Sequence, residues 1–318
     1  MIGGESFAVD ASLIQADANK QRSLPGDEWN IETLPEDAGR SIRDYIDTLN
    51  DAAFGAASDK QPKFISPSDP AAQWTGALRG PAFFAYATNY LIDTDNAVIV
   101  DVEGTRAIRQ AEVGSARTMI ERTIDRFGLY PKSLAGDTAY GAADMLDWLV
   151  YDKGIEPHIP VFDKSKRTDG TFSREDFTFN HKDNVYICPA GKRLKSSGKI
   201  NYDDTYRYVG STYDCRPCPL KSRCCPKTPQ RKTPRSIHEG ARDMDRDIAK
   251  TKSYEVSRKN RKKVEMLFAH LKRILKMGRL RLRGPNGAKD EFLLAATAQN
   301  LRKLAKLRPE PPPKMQTD

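Results

Sequence analysis

Residues 82–104 read A-F-F-A-Y-A-T-N-Y-L-I-D-T-D-N-A-V-I-V-D-V-E-G and contain two runs rich in aromatic and β-branched residues. A polar turn at 93–96 separates the runs, which is the pattern of a β-hairpin. Residues 108–127 follow, with apolar side chains at three- and four-residue steps, and Gly128 comes directly after them. This spacing predicts an amphipathic helix that ends at the glycine. Shorter strands are predicted on both sides of this unit, at 7–10, 133–136 and 155–162.

This order of strand, hairpin, helix and further strands predicts an α/β fold in which helices flank a mixed sheet. One helix is predicted at 242–277 and another at 289–307. The predicted organisation is a first sheet-forming part that includes a long loop at 21–81, a polar Cys-rich insertion, a basic C-terminal helical part and a disordered tail, at 1–162, 163–234, 235–307 and 308–318 respectively.

The composition is that of a soluble globular protein, with 318 residues and a net charge of +9. The longest apolar run, Phe292 to Ala298, is far shorter than the ~20 residues that cross a bilayer, so a membrane-spanning role is excluded. The N-terminal residues lack the basic and apolar regions of a secretory signal. We therefore expect a cytoplasmic protein.

Positive charge is concentrated near the C-terminus. Residues 221–308 hold 26 Lys and Arg against 8 Asp and Glu, a local balance of +18, while the rest of the chain sums to −9. This asymmetry favours a polyanionic partner, with nucleic acid the leading candidate. A solvated Lys-rich helical surface is the alternative that charge by itself leaves open.

Three acidic residues lie where metal-dependent chemistry would place them. Asp10 closes the first predicted strand, and Asp137 follows a strand in the turn G-D-T-A-Y-G. Glu265 flanks the apolar stripe of a basic helix, R-K-N-R-K-K-V-E-M-L-F-A-H-L-K-R. Each has an ordinary alternative: Asp10 as a turn residue, Asp137 as a helix N-cap, and Glu265 as an ion-pair partner within its helix.

Three converging carboxylates repel one another unless a cation lies among them. Mg²⁺ or Mn²⁺ prefers such hard oxygen ligands, and two ions ~3.5–4 Å apart support phosphodiester chemistry. Asp101, in the predicted hairpin, is the main rival for the first acid and is interpreted as structural.

The sequence resembles the DDE transposases of bacterial insertion sequences, in the branch with a cysteine-bearing insertion before the final glutamate. The resemblance rests on V-D-A-S-L-I-Q-A-D-A-N with Q-R-S-L-P-G at Asp10, G-D-T-A-Y-G at Asp137, and R-K-K-V-E-M-L-F-A-H-L-K with R-L-R-L-R-G at Glu265. It implies an RNase H-like fold and these three acids as the ligands of two Mg²⁺ or Mn²⁺ ions.

The resemblance also implies a DNA-binding role for three positions around the glutamate, Arg258, Arg261 and Lys272. The family often has Tyr where Arg258 stands. Steps of four and seven residues put Arg261 and Lys272 on the same side of the helix as Glu265, where they would hold a DNA phosphate. Ion pairing along the helix is the alternative.

All the cysteines lie between Cys188 and Cys225. Cys215 and Cys218 form a C-x-x-C pair, and Cys188 and Cys224 would complete a tetrahedral Zn²⁺ site. The alternatives are a redox pair, although no thioredoxin-like strand precedes it, and free thiols in a reducing cytosol.

The function expected from this resemblance is DNA transposition. Two-metal phosphoryl transfer would hydrolyse DNA at the element's end, and the released 3′-hydroxyl would then attack target DNA. The expected partners are transposon ends, target DNA and other copies of the chain, with no membrane, and the expected location is the nucleoid. Because little precedes Asp10, the chain is interpreted as a truncated or split copy that binds DNA without sequence preference. A metal-dependent nuclease and a non-catalytic DNA-binding remnant are the alternatives.

Overall fold

The computed structural model describes residues 2–30, 38–49, 62–76, 80–163 and 165–307. The tail predicted to be disordered, 308–318, lies outside the described residues. The strands are β1 Ser6–Gln15, β2 Leu24–Pro25, β3 Phe64–Ile65, β4 Gln73–Gly76, β5 Ala82–Asp93, β6 Val98–Arg106, β7 Ser133–Ala135, β8 Glu156–His158, β9 Thr178–Asn180, β10 Val185–Ile187, β11 Arg193–Ile200, β12 Thr205–Val209 and β13 Lys232–Ser236. The α-helices are α1 Arg40–Asp47, α2 Arg109–Phe127, α3 Ala143–Asp147, α4 Thr212–Cys215, α5 Lys221–Cys224, α6 Glu239–Ile248, α7 Lys252–Asn260, α8 Lys262–Arg273 and α9 Gly284–Leu307.

The protein is thus mixed α/β, and it divides into two units. The first comprises Met1–Ala139, Ile155–His158 and Thr251–Asp318, and the second comprises Tyr140–Gly154 and Ile159–Lys250. Within the described residues, no helix is long and apolar enough to cross a membrane.

A mixed sheet forms the centre of the first unit. Its strands follow the order β4-β5-β1-β7-β8, and β6 also pairs with β5. β5 and β6 form the predicted antiparallel hairpin, while β7 runs parallel to both β1 and β8. β1 extends past Asp10, where the sequence pattern predicts its end, because 11–15 continue the ladder with β5.

The core of the first unit lies between this sheet and the C-terminal helices. Ala8 and Ile14 of β1 are fully buried together with Val264 of α8 and Phe292 of α9. The ring of Tyr90 on β5 stacks on Phe268, with centroids 4.7 Å apart. The apolar stripe of α8 therefore faces the sheet, which fixes the rotation of the helix that carries Glu265.

The segment 21–81, predicted as a long loop in which 38–53 favours a helix, contains α1 and the strands β2 to β4 where it is described. β4 joins the main sheet through β5. Trp74 of β4 packs edge-on against Phe64 and Phe84, with ring centroids 5.5 and 5.0 Å away. These aromatic contacts stabilise strands too short to show a periodic pattern in the sequence.

The helix predicted at 242–277 is instead three helices, α6, α7 and α8. Thr251 caps α7, because its Oγ1 accepts a hydrogen bond of 3.3 Å from the amide of Tyr254. Arg261 separates α7 from α8. The basic composition hides both breaks, since neither glycine nor proline marks them.

The second unit contains an antiparallel sheet in the order β13-β12-β11-β10-β9. Its small core consists of Phe177, Tyr186, Leu194 and Tyr208. The rings of Tyr186 and Tyr208 pack edge-on at 5.2 Å. A few aromatic side chains therefore hold together a segment whose sequence is largely polar.

Candidate active site

Asp10 lies within β1, and Asp137 lies two residues past the end of the neighbouring parallel strand β7. Ala8 of β1 pairs with Ala135 of β7, and each aspartate stands two residues beyond that pair along its own chain. Both acids therefore lie at the carboxyl end of β7, and α/β sheets place ligand sites at the carboxyl ends of their parallel strands. The Oδ1 atom of Asp137 also accepts a 2.7 Å hydrogen bond from the amide of Ala139, so the residue caps the turn after β7 as well.

Glu265 reaches this region from the first turn of α8. Arg261 connects it to Asp10: its Nη1 lies 3.4 Å from Asp10 Oδ2, and its Nη2 lies 3.2 Å from Glu265 Oε1. The side chains of Asp10 and Arg261 are 19% and 24% exposed, against 52% for Glu265. The guanidinium thus occupies the space between two of the predicted acids.

The three acids interact electrostatically. The pKa of Asp10 is raised to about 6, chiefly by burial and also by the nearby charges of Asp137 and Glu265, while the hydrogen bond from Ala11 and the charge of Arg261 oppose the rise. Like charges held this close favour a proton or a bound cation on the group. The structure therefore brings Asp10, Asp137 and Glu265 into one electrostatic cluster, although they are distant in the sequence.

A fourth acid, Glu112, was missed in the sequence. It lies in the first turn of α2, and its pKa is raised to about 7, chiefly by burial and also by the charges of Asp137 and Asp10. Arg109 partly opposes this rise. The small residues Ala111 and Gly114 near it are the one indication of this acid in the sequence. The helical periodicity indicates the apolar positions only.

Arg258 and Lys272 lie further from the cluster along the chain. Arg258 is exposed on α7, beyond the break at Arg261, so the seven-residue step to Glu265 does not run along one continuous helix. Lys272 is exposed near the end of α8. Among the described residues, the predicted cation in contact with the acids is Arg261.

The rival first acid, Asp101, belongs to a structural ion-pair cluster. Arg122 Nε lies 2.7 Å from its Oδ2, and Arg122 Nη1 lies 2.8 Å from Glu103 Oε2. These contacts join β6 to α2, and β5 separates β6 from the strand β1 that carries Asp10.

The donor groups that are present decide which metal ion could bind. In the described part of the chain, no three His, Cys, Asp or Glu side chains are arranged to hold a metal ion. The donor chemistry nevertheless fits Mg²⁺ or Mn²⁺, because the cluster offers only carboxylate oxygens and its mutual repulsion is offset by one guanidinium. Both metal predictions remain predictions.

The cysteines surround one small cavity in the second unit. Cys188, Cys215, Cys218, Cys224 and Cys225 all line it. The pKa of Cys224 is raised to about 11, chiefly by burial and also by the neighbouring thiol of Cys225. Burial likewise raises the pKa of Cys215, with smaller contributions from Cys225, Cys188 and Cys218. Crowded thiols of this kind are suited to Zn²⁺, which binds them as thiolates.

Comparison with known proteins gives one match. Residues 187–305 match a family model described as Transposase DDE domain. The matched stretch contains Glu265, Arg261, Lys272 and all the cysteines, and Asp10 and Asp137 precede it. No curated protein and no solved structure matches the chain.

Proposed function

We propose that this chain, a DDE-type transposase by its match at 187–305, carries out divalent-metal-dependent cleavage of DNA at insertion-sequence ends and strand transfer into target DNA. DNA is the substrate that the family implies. The observation that carries the proposal is the electrostatic cluster of Asp10, Asp137 and Glu265, connected through Arg261. The same proposal keeps the expected location at the nucleoid, where the substrate lies.

The topology of the first unit supports an RNase H-like catalytic fold. In the order β6-β5-β1-β7-β8, β5 is antiparallel to both β6 and β1, and β7 and β8 run parallel to β1. The first strand then carries one acid, a neighbouring parallel strand leads into the second, and a helix packed on the sheet carries the third. This distribution combines a rigid scaffold with ligands from three separate elements.

Each charged group has a distinct part in the proposed chemistry. Asp10, Asp137 and Glu265 would hold two Mg²⁺ or Mn²⁺ ions, which supply charge neutralisation for attacking and leaving oxygens. Arg261 would exchange its carboxylate contacts for a DNA phosphate, which its planar guanidinium suits. Lys272 and Arg258 would contact the backbone further along the duplex without reading bases.

Cys188, Cys215, Cys218 and Cys224 would bind one structural Zn²⁺ in the second unit. Their shared cavity supports this proposal, since a metal would stabilise a segment with a small aromatic core. Several copies of the chain would act together on the two ends of an element, because cleavage at both ends must be coupled to their joining.

The test compares wild-type chain with Asp137→Asn on plasmid DNA that carries the sequence flanking the gene, with Mn²⁺ present. The substitution keeps the acceptor for the amide of Ala139 and removes the charge, so the fold should persist while cleavage falls by ~10³-fold or more. Glu255→Gln, at an exposed position on α7, is the matched control. Retained cleavage in Asp137→Asn would overturn the assignment, and cleavage without joined products would support a nuclease instead.

A further inference from the structure

The second unit contains a positively charged cavity that the proposed chemistry does not use. Its volume is about 470 Å³, and its walls come from 162–163, 165–167, Arg174, the β12 and β13 strands and the start of α6. Six cationic residues line it, against two carboxylates, Asp163 and Glu239.

The two carboxylates are already engaged by arginines. Arg174 pairs with both Asp163 and Glu239, and Arg242 Nη1 lies 3.2 Å from Glu239 Oε2. Arg246, outside the cavity lining, lies 2.9 Å from each of the same two acids. No negative charge of the lining therefore remains for the other cations.

Four cations of the lining, Lys166, Arg167, Arg231 and Lys232, form no ion pair with a carboxylate among the described residues. Arg231 is only 5% exposed, and its Nη1 and Nη2 donate to the carbonyls of Cys224 and Phe172 at 2.9 and 3.0 Å. Its guanidinium is thus a fixed positive charge that the fold holds in place.

Arg167 adds a second charge close to the first. Burial lowers the pKa of Arg231, and the charge of Arg167 lowers it further. Two guanidinium groups that repel each other in this way are stabilised by an anion between them. Arg167 is exposed and lines the cavity. Among the described residues its guanidinium donates one hydrogen bond, from Nη1 to Thr171 Oγ1 at 3.0 Å, so its other donors can bind a ligand at the mouth of the cavity.

We infer that this cavity binds a phosphate group, and that in the working protein the phosphate belongs to the DNA backbone. Guanidinium groups bind phosphate through paired, charge-assisted hydrogen bonds, and Lys166 and Lys232 add mobile charges beside them. The inference rests on the proposed function for the choice of DNA, and on the cavity itself for the choice of phosphate. The second unit would then bind the duplex directly.

The test uses the full chain without divalent metal, so that binding is measured apart from cleavage. Two variants carry the same charge change within the second unit: Lys166→Gln with Arg167→Gln in the cavity, and Lys195→Gln with Lys199→Gln on the exposed face of β11. Affinity for a fluorescent duplex and the rise in melting temperature caused by inorganic phosphate are both measured.

We expect the cavity variant to lose about tenfold in duplex affinity, to flatten the slope of log K against log salt by about 2, and to lose the effect of phosphate, with the control close to wild type. Equal losses in the two variants would overturn the inference, because any surface charge would then serve. Loss of the phosphate effect with unchanged duplex affinity would overturn the assignment to DNA and indicate a free-phosphate site. The proposed function fails separately, through absence of cleavage in the wild-type chain.

Discussion

Asp10, like Glu112, is an acid of the candidate site whose ionisation the fold opposes. It is largely buried beside two other acids, and a single guanidinium at 3.4 Å offsets their repulsion. A divalent cation placed among these groups would remove the repulsion and release any proton held by Asp10. Metal binding at this site should therefore depend on pH through Asp10.

We expect Mn²⁺ affinity to rise steeply between about pH 5 and pH 7, because the pKa of Asp10 is raised to about 6 and the ligand must be deprotonated. Titration of free Mn²⁺ by electron paramagnetic resonance measures this. Asp10→Asn should abolish most of the binding and the pH-dependent step with it. A profile that stays flat across this range in the wild-type chain would contradict the role given to Asp10.

The raised pKa of Asp10 also makes the stability of the fold depend on pH. Since the folded pKa of Asp10 lies above its ordinary value of 3.8, its contribution to stability is complete below pH 3.8 and is lost as pH rises through about 6. Without metal, Asp10→Asn should therefore stabilise the chain at neutral pH relative to wild type. Saturating Mn²⁺ should reverse that order, because only the wild-type carboxylate binds the ion.

At the scale of elements, α2 matches its sequence pattern closely. It runs from Arg109 to Phe127, and Gly128 ends it in the left-handed conformation with φ of 63°. A Cβ atom added at Gly128 would meet no neighbouring atom, so a substitution there would cost only the strain of the left-handed backbone. Gly114 in the middle of the same helix also faces open space but has ordinary helical geometry.

Replacement by alanine should change the stability of the chain in opposite directions at these two glycines. Gly114→Ala should stabilise the chain by roughly 0.5–1 kcal/mol, because alanine restricts the unfolded backbone and favours the helix. Gly128→Ala should destabilise it by about 1 kcal/mol, because alanine is strained at a positive φ. Urea unfolding of both variants measures the difference, and effects of the same sign would contradict this account of α2.

The shared cavity of the cysteines predicts how many zinc ions the chain binds. The reduced chain should bind one Zn²⁺ per molecule, and Cys215→Ser should lower the affinity by at least about tenfold through loss of a thiolate ligand. Cys225→Ala is the control, since Cys225 lies outside the proposed ligand set although it lines the same cavity. Colorimetric zinc release distinguishes the two, and equal loss in both variants would place Cys225 among the ligands.

At the scale of the whole molecule, the proposed binding of DNA would depend on the net charge of +9 and its concentration at 221–308. Binding to phosphates releases condensed counterions, so affinity depends on salt more than on base sequence. Both units carry cationic groups of this kind: Arg261 in the first unit lies within 221–308, and Arg167 in the second lies outside it.

We expect duplex affinity to fall linearly in log K against log salt, by at least about 10²-fold between 50 and 200 mM. Arg261→Ala and Lys272→Ala should each weaken binding uniformly across sequences. Anisotropy measurements on the flanking DNA and on a scrambled duplex of equal length check both points. A preference above about tenfold, worth roughly 1.4 kcal/mol, would show that the chain reads bases.

The sequence by itself determined the features that local patterns encode. Alternation and turn residues predicted the β5–β6 hairpin, the three- and four-residue spacing predicted α2 with its end at Gly128, and the small residues around Asp137 placed that acid after a strand. The family match at 187–305 likewise depends on the sequence alone, because a family model is compared along the chain.

Only the tertiary structure decided what depends on contacts between distant segments. It added β4 to the sheet, broke the predicted helix at Arg261, brought Glu112 towards Asp10 and Asp137, and assembled the cationic cavity around Arg231. None of these leaves a periodic trace, since a strand of four residues is too short to show one, and the pKa of a carboxyl or the pairing of a guanidinium depends on neighbours brought together by folding.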